Sequence, residues 1–478
     1  MKKGQLYING QFREGADKQH LEVINPYDLE PIGSQSVAEG SDVRQAVSCA
    51  AESFKRWKKQ SAYERGALLR KLYDLVLENE ERLAKMITLE QGKPLSEAIG
   101  EVRYAASYLS WYAEEGIRIK GDILEPTHKT MRMQVIKQPV GPVGIITPWN
   151  FPLAMFVRKM APALAAGCTV IIKPAEQTPL TAYEFFRLVD EAGFPDGVCQ
   201  LVTGDPVEIG KIFMEAESLR KISFTGSTEV GKLLMAQSAE TVKKVSLELG
   251  GHAPLIVFAD ADLDKAVQGT IDSKFRNCGQ VCIATNRVLV EKSILPAYQE
   301  KLLEKVASLK AGSGFEENDM GPVIDRQGYE KISEHVDDAL NRGANLLFGG
   351  QGYRQKDNQG GYLFQPTVLG NISEDMKIMQ EETFGPVVPI TAFETEEEAL
   401  RIANQTPFGL ASYFYTENIS RAIRVSEGLE FGMVGINTGR ISSAQAPFGG
   451  VKASGFGREG GYYGIEEYLH TKYIGTGI

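Results

Sequence analysis

Residues 168–249 read CTVIIKPAEQTPLTAYEFFRLVDEAGFPDGVCQLVTGDPVEIGKIFMEAESLRKISFTGSTEVGKLLMAQSAETVKKVSLEL, and this stretch decides the fold class. Cys168–Ile172 is a short apolar run suited to a buried strand. Thr178-Pro179 then supplies an N-cap and a proline at the first helical position, and the helix it opens ends at Gly193. Strand and helix signals alternate from there: VCQLVTG, PVEIGKIFMEA, KISFTGS, TEVGKLLMAQSAE and KVSLEL. Repeated strand–helix–strand units of this length imply a parallel sheet covered by helices, the doubly wound design of nucleotide-binding proteins. Ligands of such sheets sit at the carboxyl ends of the strands.

Working outward, the pattern restarts after Gly251 with LIVF, a helix near 262–273, NRVLVEK and a helix from 294. Further strands are expected at NLLFGG, YLFQPTVL and VVPITAF, which makes a second α/β unit. The boundary falls near 251, where Gly250-Gly251 lets the chain change direction. Upstream, residues 61–117 carry helical periodicity in two stretches separated by Gly92-Lys93-Pro94, and residues 130–139 alternate as a strand does.

Composition narrows the function classes. A chain of 478 residues exceeds a single hydrophobic core, so two or three domains are expected. Lys plus Arg total 52 against 62 Asp plus Glu, a net charge of −10 with no basic block, which argues against a nucleic-acid or anionic-membrane partner. MKKGQLYINGQF has no apolar run behind its lysines and is not expected to be a signal peptide, and no stretch has the length of a membrane span. The five cysteines, Cys49, Cys168, Cys199, Cys278 and Cys282, are sparse and odd in number, which suits a reducing cytoplasm rather than a disulfide framework. The five histidines are scattered, so no zinc site is expected.

Five local segments carry chemistry. FTGSTEVG, from Phe224 to Gly231, joins a predicted strand to a predicted helix, and such a helix N-terminus favours a phosphate. It is not GxGxxG, and read alone it is equally a common strand-to-helix turn. Lys173-Pro174-Ala175-Glu176 follows a strand of the same sheet, where a carboxylate can accept from both ribose hydroxyls of an adenosine; a solvated surface pair is the plainer reading of four residues. FRNCGQVC, from Phe275 to Cys282, sets a cysteine among Gly, Gln and Asn, surroundings in which a thiol can be exposed and reactive. Glu248 in ELGG offers a carboxylate at a strand end for general-base work, and Asn150 in PWNFP offers an amide held between two prolines for an oxyanion.

PWNFP, KPAE, FTGST, ELGG, FRNCGQVC, EETFGP and PFGGVKASGFGREGG, taken in this order and spacing, closely resemble the aldehyde dehydrogenase superfamily essentially end to end. The resemblance implies a Rossmann-like cofactor domain (residues 1–119 and 140–250), an α/β catalytic domain (251–458) and a small β oligomerisation flap (120–139 and 459–478) assembling into homodimers or homotetramers. It implies that Cys282 attacks the aldehyde carbon, that Asn150 and the Cys282 backbone N–H hold the oxyanion, and that Glu248 activates water to release the acid. It also implies cofactor contacts from Ile146, Trp149, Lys173, Glu176, Gly226, Ser227, Leu249, Glu382 and Phe384. A carboxylate at Glu176 repels a 2′-phosphate and suits a free hydroxyl, so NAD is expected ahead of NADP.

Arg158, Arg276 (six residues before Cys282) and Ser442 of GRISSAQ further resemble the arginine pair and loop serine with which succinate-semialdehyde dehydrogenases bind the distal carboxylate. A carboxylated aldehyde is therefore the expected substrate, with succinic semialdehyde first. Glutaric semialdehyde, 2-oxoglutarate semialdehyde and lactaldehyde or glycolaldehyde are the alternatives, and a cofactor-independent thiol esterase or a non-catalytic homologue the readings from other classes. Three departures stand out. Arg440 adds a charge beside Ser442-Ser443, either for a longer or doubly polar substrate or facing solvent. Ala284 replaces the second cysteine that some relatives carry, with Cys278 as a neighbour more plausibly inert than redox-active. His470 is aligned with a tail position where many relatives place Glu near the proton exit.

Overall fold

The computed structural model describes residues 2–354 and 360–478. The apolar runs of the decisive segment become the strands Val170–Lys173, Cys199–Leu201, Lys221–Thr225 and Lys244–Glu248. They belong to an eight-stranded sheet ordered Gly455–Phe456, Lys244–Glu248, Lys221–Thr225, Val143–Ile146, Val170–Lys173, Cys199–Leu201, Leu6–Ile8, Gln11–Arg13. Its five central strands are parallel. The order reverses at Val143–Ile146: the chain adds two strands on one side, then returns to add two on the other. That reversal opens a crevice at the carboxyl ends of Val143–Ile146 and Lys221–Thr225. Separate apolar cores pack on the two faces of the sheet, as a doubly wound architecture requires.

The second sheet has seven strands, ordered Asn345–Phe348, Thr367–Gly370, Val387–Phe393, Thr285–Glu291, Ala253–Val257, Ala411–Tyr415, Met433–Ile436, and only its first pair is antiparallel. Ala253–Val257 and Ala411–Tyr415 are buried at every residue, the signature of parallel strands covered on both sides. A small antiparallel sheet pairs Leu469–Gly477 with Met131–Pro139, and Met131–Pro139 with Asp122–Leu124. The expected class thus holds: a doubly wound sheet, a second α/β unit and a small β element. Among the described residues no helix is long and apolar enough to cross a membrane, and no group of three or more His, Cys, Asp or Glu could hold a metal ion.

Four local expectations are corrected. The first helical stretch breaks at Asn79 into Ala62–Glu78 and Glu80–Gln91, where the Asn79 side chain adds a bond to the Leu75 carbonyl (2.8 Å) beside that of its own backbone N–H (3.1 Å). Helix Ala154–Ala166 has no counterpart in the sequence reading: all its residues are buried and Pro162 lies inside it, so it shows no amphipathic stripe. Gly250 and Gly251 do not adopt left-handed backbone; they are small because neighbours press on them, as described below. Finally, Thr178 precedes the Pro179–Ala192 helix as expected, yet its side chain makes no cap. The cap comes from Glu90, whose carboxyl accepts from Leu180 N (2.8 Å) and Thr181 N (2.9 Å).

Burial pushes the Glu90 carboxyl up to about 8, so near neutrality it is largely a neutral acid. Glu90→Ala orphans two buried N–H groups and is expected to cost about 1–3 kcal/mol for each, read as a lowered urea midpoint; Glu90→Gln keeps one acceptor oxygen and should lose roughly half as much. Since the folded value lies above the unfolded one of 4.5, the wild type should lose stability as pH rises towards about 8, and Glu90→Gln should remove that slope. An unchanged midpoint in Glu90→Ala would show that the cap contributes nothing.

Candidate active site

The candidate nucleophile sits on a segment of unusual backbone. Helix Leu263–Lys274 gives way to a short turn in which Asn277 (φ 48°) and Cys278 (φ 56°) are left-handed. Asparagine tolerates that region better than most residues, and its bonds hold it there. Asn277 N donates to the Glu97 carboxylate (2.8 Å), Asn277 Oδ1 accepts from Gln91 Nε2 (2.9 Å), and Asn277 Nδ2 donates to the Asn150 carbonyl (2.9 Å). Gln280 continues the anchoring, its Nε2 donating to Asn277 O and its Oε1 accepting from Ile324 N. A tight turn closed by Ala284 N to Val281 O (2.9 Å) then places Cys282 at its corner. Against this corner runs the link from Glu248 to Ala253, where a Cβ on Gly251 would come within 2.3 Å of the Cys282 carbonyl oxygen and one on Gly250 within 2.9 Å of Glu382 Oε2.

Cys282 and Met155 line two cavities at once. The first, about 410 Å³, is walled by Phe151, Arg158, Arg276, Arg440, Ser442 and Phe448. Sequence reasoning selected Arg158, Arg276 and Ser442, and the fold brings all three to one space with the thiol. Arg158 is buried, ion-paired with Glu459 and stacked 4.3 Å over the Phe448 ring, while its Nη2 has no hydrogen-bond partner. Arg276 lies 5.4 Å over the Phe151 ring, with Nε likewise unpartnered. Arg440 is mostly exposed and pairs with Asp272 at 3.4 Å. Glu97, unsuspected from the sequence, also lines this cavity.

The second cavity, about 340 Å³, is the crevice at the strand-order reversal. It collects Trp149, Asn150, Gly226, Ser227 and Leu249 from the carboxyl ends of the first sheet, and Glu382 and Phe384 from ahead of strand Val387–Phe393 of the second. Ser227 caps helix Thr228–Ser238 through Val230 N (3.3 Å), and Gly226 is tight against the Phe224 ring, which a Cβ would approach to 2.4 Å. Burial pushes the Glu382 carboxyl up to about 7, and its Oε1 accepts from Gly251 N at 3.1 Å. Trp149 meets Phe384 edge-on at 5.7 Å. A helix N-terminus for a pyrophosphate and a carboxyl for ribose hydroxyls fit a dinucleotide. Three of the expected contacts stand outside this wall: Ile146, Lys173 and Glu176 lie at or just beyond the ends of neighbouring strands, and Lys173 Nζ is ion-paired with the Glu176 carboxylate.

Asn150 is buried; its Nδ2 donates to the Gln280 carbonyl (2.9 Å) and its Oδ1 has no partner. Burial pushes the Cys282 thiol up to about 12, with Glu382 and Glu248 adding to the rise and Arg158 and Arg276 opposing it. Glu248 is itself held well above the usual carboxylate range by burial and by the Glu459 carboxylate, against the pull of Arg158, Lys159 and Arg458. Its Oε2 is buried without a hydrogen-bond partner.

The carboxylate beside Glu248 is therefore Glu459, ion-paired with both Arg158 and Lys159. This corrects the reading of His470, which is exposed on the tail strand opposite Gln138. Glu459 sits inside the GREGG stretch of the motif PFGGVKASGFGREGG, where sequence reasoning gave it no role of its own. Lys93, Glu101 and Asn277, also missed, carried no signal beyond charge or polarity inside otherwise helical or turn sequence. Cys278 is buried, its thiol pushed up to about 12 by burial.

The family model described as "Aldehyde dehydrogenase family" matches residues 12–474. Mitochondrial succinate-semialdehyde dehydrogenase of Oryza sativa subsp. japonica is 49% identical over 98% of this chain and 89% of its own length. Glutarate-semialdehyde dehydrogenase of Pseudomonas putida is 49% identical, covering 98% and 97%, and 3-sulfolactaldehyde dehydrogenase of Pseudomonas putida 48%, covering 99% and 97%. Among solved structures, an Escherichia coli NADP-dependent enzyme superposes with a TM-score of 0.98 at 46% identity, covering 100% and 98% of the two chains. Betaine aldehyde dehydrogenase from Staphylococcus aureus in complex with NAD+ superposes with a TM-score of 0.96 at 38% identity, covering 99% and 94%.

With the thiol so far above neutrality, thiolate is scarce in the free protein. Alkylation of Cys282 by iodoacetamide, followed by peptide mapping, should accelerate about tenfold per pH unit from roughly pH 7 to 9 without levelling off. A plateau near neutral pH would mean the thiol is already ionised and would contradict this electrostatic picture.

Proposed function

The chain belongs to the aldehyde dehydrogenase family, and from that premise we propose that it oxidises a short aldehyde carrying a distal anionic group, succinic semialdehyde first, with NAD as the preferred acceptor. The observation that carries this reading is the double exposure of Cys282. One side of the thiol meets a cavity with two arginines whose nitrogens lack partners; the other meets the crevice at the strand-order reversal. Orphaned buried donors cost free energy until an acceptor fills them, so a carboxylate is the natural complement of the first cavity.

In the reaction proposed, the Cys282 sulfur adds to the aldehyde carbon after giving up its proton, with Glu248 as the acceptor. Burial raises the proton affinity of both groups, the Cys282 thiol and the Glu248 carboxyl that receives its proton. Asn150 donates its remaining amide hydrogen to the oxygen that becomes negative, together with the Cys282 backbone N–H; losing such a donor costs about 100- to 1000-fold in turnover. A nicotinamide nucleotide in the crevice supplies the hydride acceptor, held by Trp149, Gly226, Ser227, Leu249, Glu382 and Phe384, with Ile146, Lys173 and Glu176 towards the adenosine. Once it has released the thiol's proton, Glu248 takes another from the water that frees the acid from Cys282. Glu459, with Lys159 and Arg158, is placed to pass that proton onward.

Residues 1–119 with 140–250 would then serve as the cofactor domain and 251–458 as the catalytic one. Residues 120–139 with 459–478 would form the oligomerisation flap, whose strand Leu469–Gly477 is an open edge suited to joining subunits. Arg440 supports a second reading: a substrate with a further polar group, such as 2-oxoglutarate semialdehyde, could reach it at the wall of the same cavity.

Arg276→Ala should raise KM for succinic semialdehyde about 10- to 150-fold, the equivalent of roughly 1.5–3 kcal/mol for a charge-assisted contact, and leave butyraldehyde nearly unaffected. An undiminished preference for succinic over unsubstituted aldehyde would refute the distal-anion assignment. Glu176 leads us to expect a higher kcat/KM with NAD than with NADP; the reverse order across a panel of succinic, glutaric and 2-oxoglutarate semialdehydes would overturn the cofactor preference.

A further inference from the structure

In PWNFP two of five residues, Pro148 and Pro152, have no N–H to give, so the loop has fewer backbone donors of its own to hold it. The fold grips it from outside. Lys93, from the Gly92-Lys93-Pro94 stretch that reads as a helix stop, is buried beneath it. Its ammonium donates to the Asn150 carbonyl (2.8 Å) and to Glu101 Oε2 (2.6 Å), and lies 3.8 Å from the centre of the Phe151 ring. The other oxygen of Glu101 accepts from Leu153 N (2.8 Å) and Ala154 N (3.2 Å), the start of helix Ala154–Ala166. A second donor, Asn277 Nδ2, reaches the same Asn150 carbonyl at 2.9 Å. The loop is thus held at its middle by two donors on one carbonyl and at its exit by one carboxylate.

We propose that Lys93 and Asn277 are positioning residues that clamp the Asn150 carbonyl and thereby aim the Asn150 amide at the oxyanion. The proposal rests on the reading of Asn150 as an oxyanion donor. With its backbone fixed, the Asn150 side chain gives one Nδ2 hydrogen to the Gln280 carbonyl, two residues before Cys282. That bond sets the plane of the amide and leaves the second hydrogen for the crevice that Asn150 and Cys282 both line. Asn277 ties the clamp to the nucleophile's own segment, so the donor and the attacking sulfur are registered against each other through one carbonyl. An amide aimed at a charge that exists only in the transition state needs such fixing, because a small error in direction forfeits the electrostatic gain.

A double-mutant cycle in full-length protein with NAD and succinic semialdehyde tests this. Lys93→Met/Glu101→Gln removes the ammonium without leaving a buried unpaired carboxylate and retains an acceptor for Leu153 and Ala154. Asn277→Gly removes the second donor and keeps the left-handed backbone. Each should lower kcat about tenfold with the aldehyde KM within about twofold, and each should add almost no further loss once Asn150→Ala is present. Equal losses with and without Asn150 would overturn the clamp while leaving the oxyanion reading standing. Wild-type kcat in Asn150→Ala alone would overturn the oxyanion reading and the clamp with it. Should Lys93→Met/Glu101→Gln fail to fold, the coupling between Asn277→Gly and Asn150→Ala decides the matter, since it probes the same carbonyl.

Discussion

The backbone of Gly251 lies against the carbonyl of Cys282, so close that a Cβ would come within 2.3 Å, and the rest of the site depends on that contact. It is where two parallel sheets meet, the carboxyl ends of one facing the amino ends of the other. Lys244–Glu248 delivers Glu248 at the end of its strand, and after four intervening residues Ala253–Val257 begins in the second sheet. Any side chain at Gly251 would push the nucleophile's turn away, and one at Gly250 would meet the Glu382 carboxylate. Glycine is required at these positions for proximity rather than for a left-handed turn. The consequence is that Cys282 from the second sheet and Asn150 from the loop after Val143–Ile146 line one cavity, while Glu248 from the first sheet helps to raise the thiol.

Charge without water is the second organising feature. Helix Ala154–Ala166 carries Arg158 and Lys159 side by side, both buried, and both are paired with Glu459. Buried ion pairs of this kind gain little net stability, because desolvation offsets most of their attraction. Their value here lies in the field they set around Glu248 and Cys282, and in the one Arg158 nitrogen that remains without a partner beside the substrate cavity. Lys93 and Glu101 form a second such pair with a mechanical consequence, since their remaining valences hold the PWNFP loop and the helix that follows it. Glu90 does the same for the Pro179–Ala192 helix. One connected stretch, residues 90–101, therefore anchors backbone both in the PWNFP loop and at the start of the Pro179–Ala192 helix.

Much of this was legible from residue order alone. Strand and helix alternation over residues 168–249 is a local property, because each buried parallel strand needs its own apolar run and each helix its own start and stop. The motifs around Cys282, Glu248 and Asn150 likewise declared themselves through residue types suited to one chemistry. Helix Ala154–Ala166 did not: it is apolar all round and contains Pro162, so the periodic signal that marks a surface helix is missing. Thr178 was read as a cap because nothing in its neighbours reveals that a carboxyl 88 residues upstream, Glu90, would take that work.

What the sequence determined by itself, then, is the order of elements and the chemical inventory, since both are written in short-range periodicity and residue type. Tertiary structure alone decided which of those groups share a space: that Glu459 and not His470 stands by Glu248, that Glu97 enters the substrate cavity, and that Lys93 and Asn277 meet on one carbonyl. Such convergence depends on side chains far apart in the chain losing water together. A buried charge can be stable only where a distant partner arrives to compensate it, and no local pattern encodes where that partner comes from.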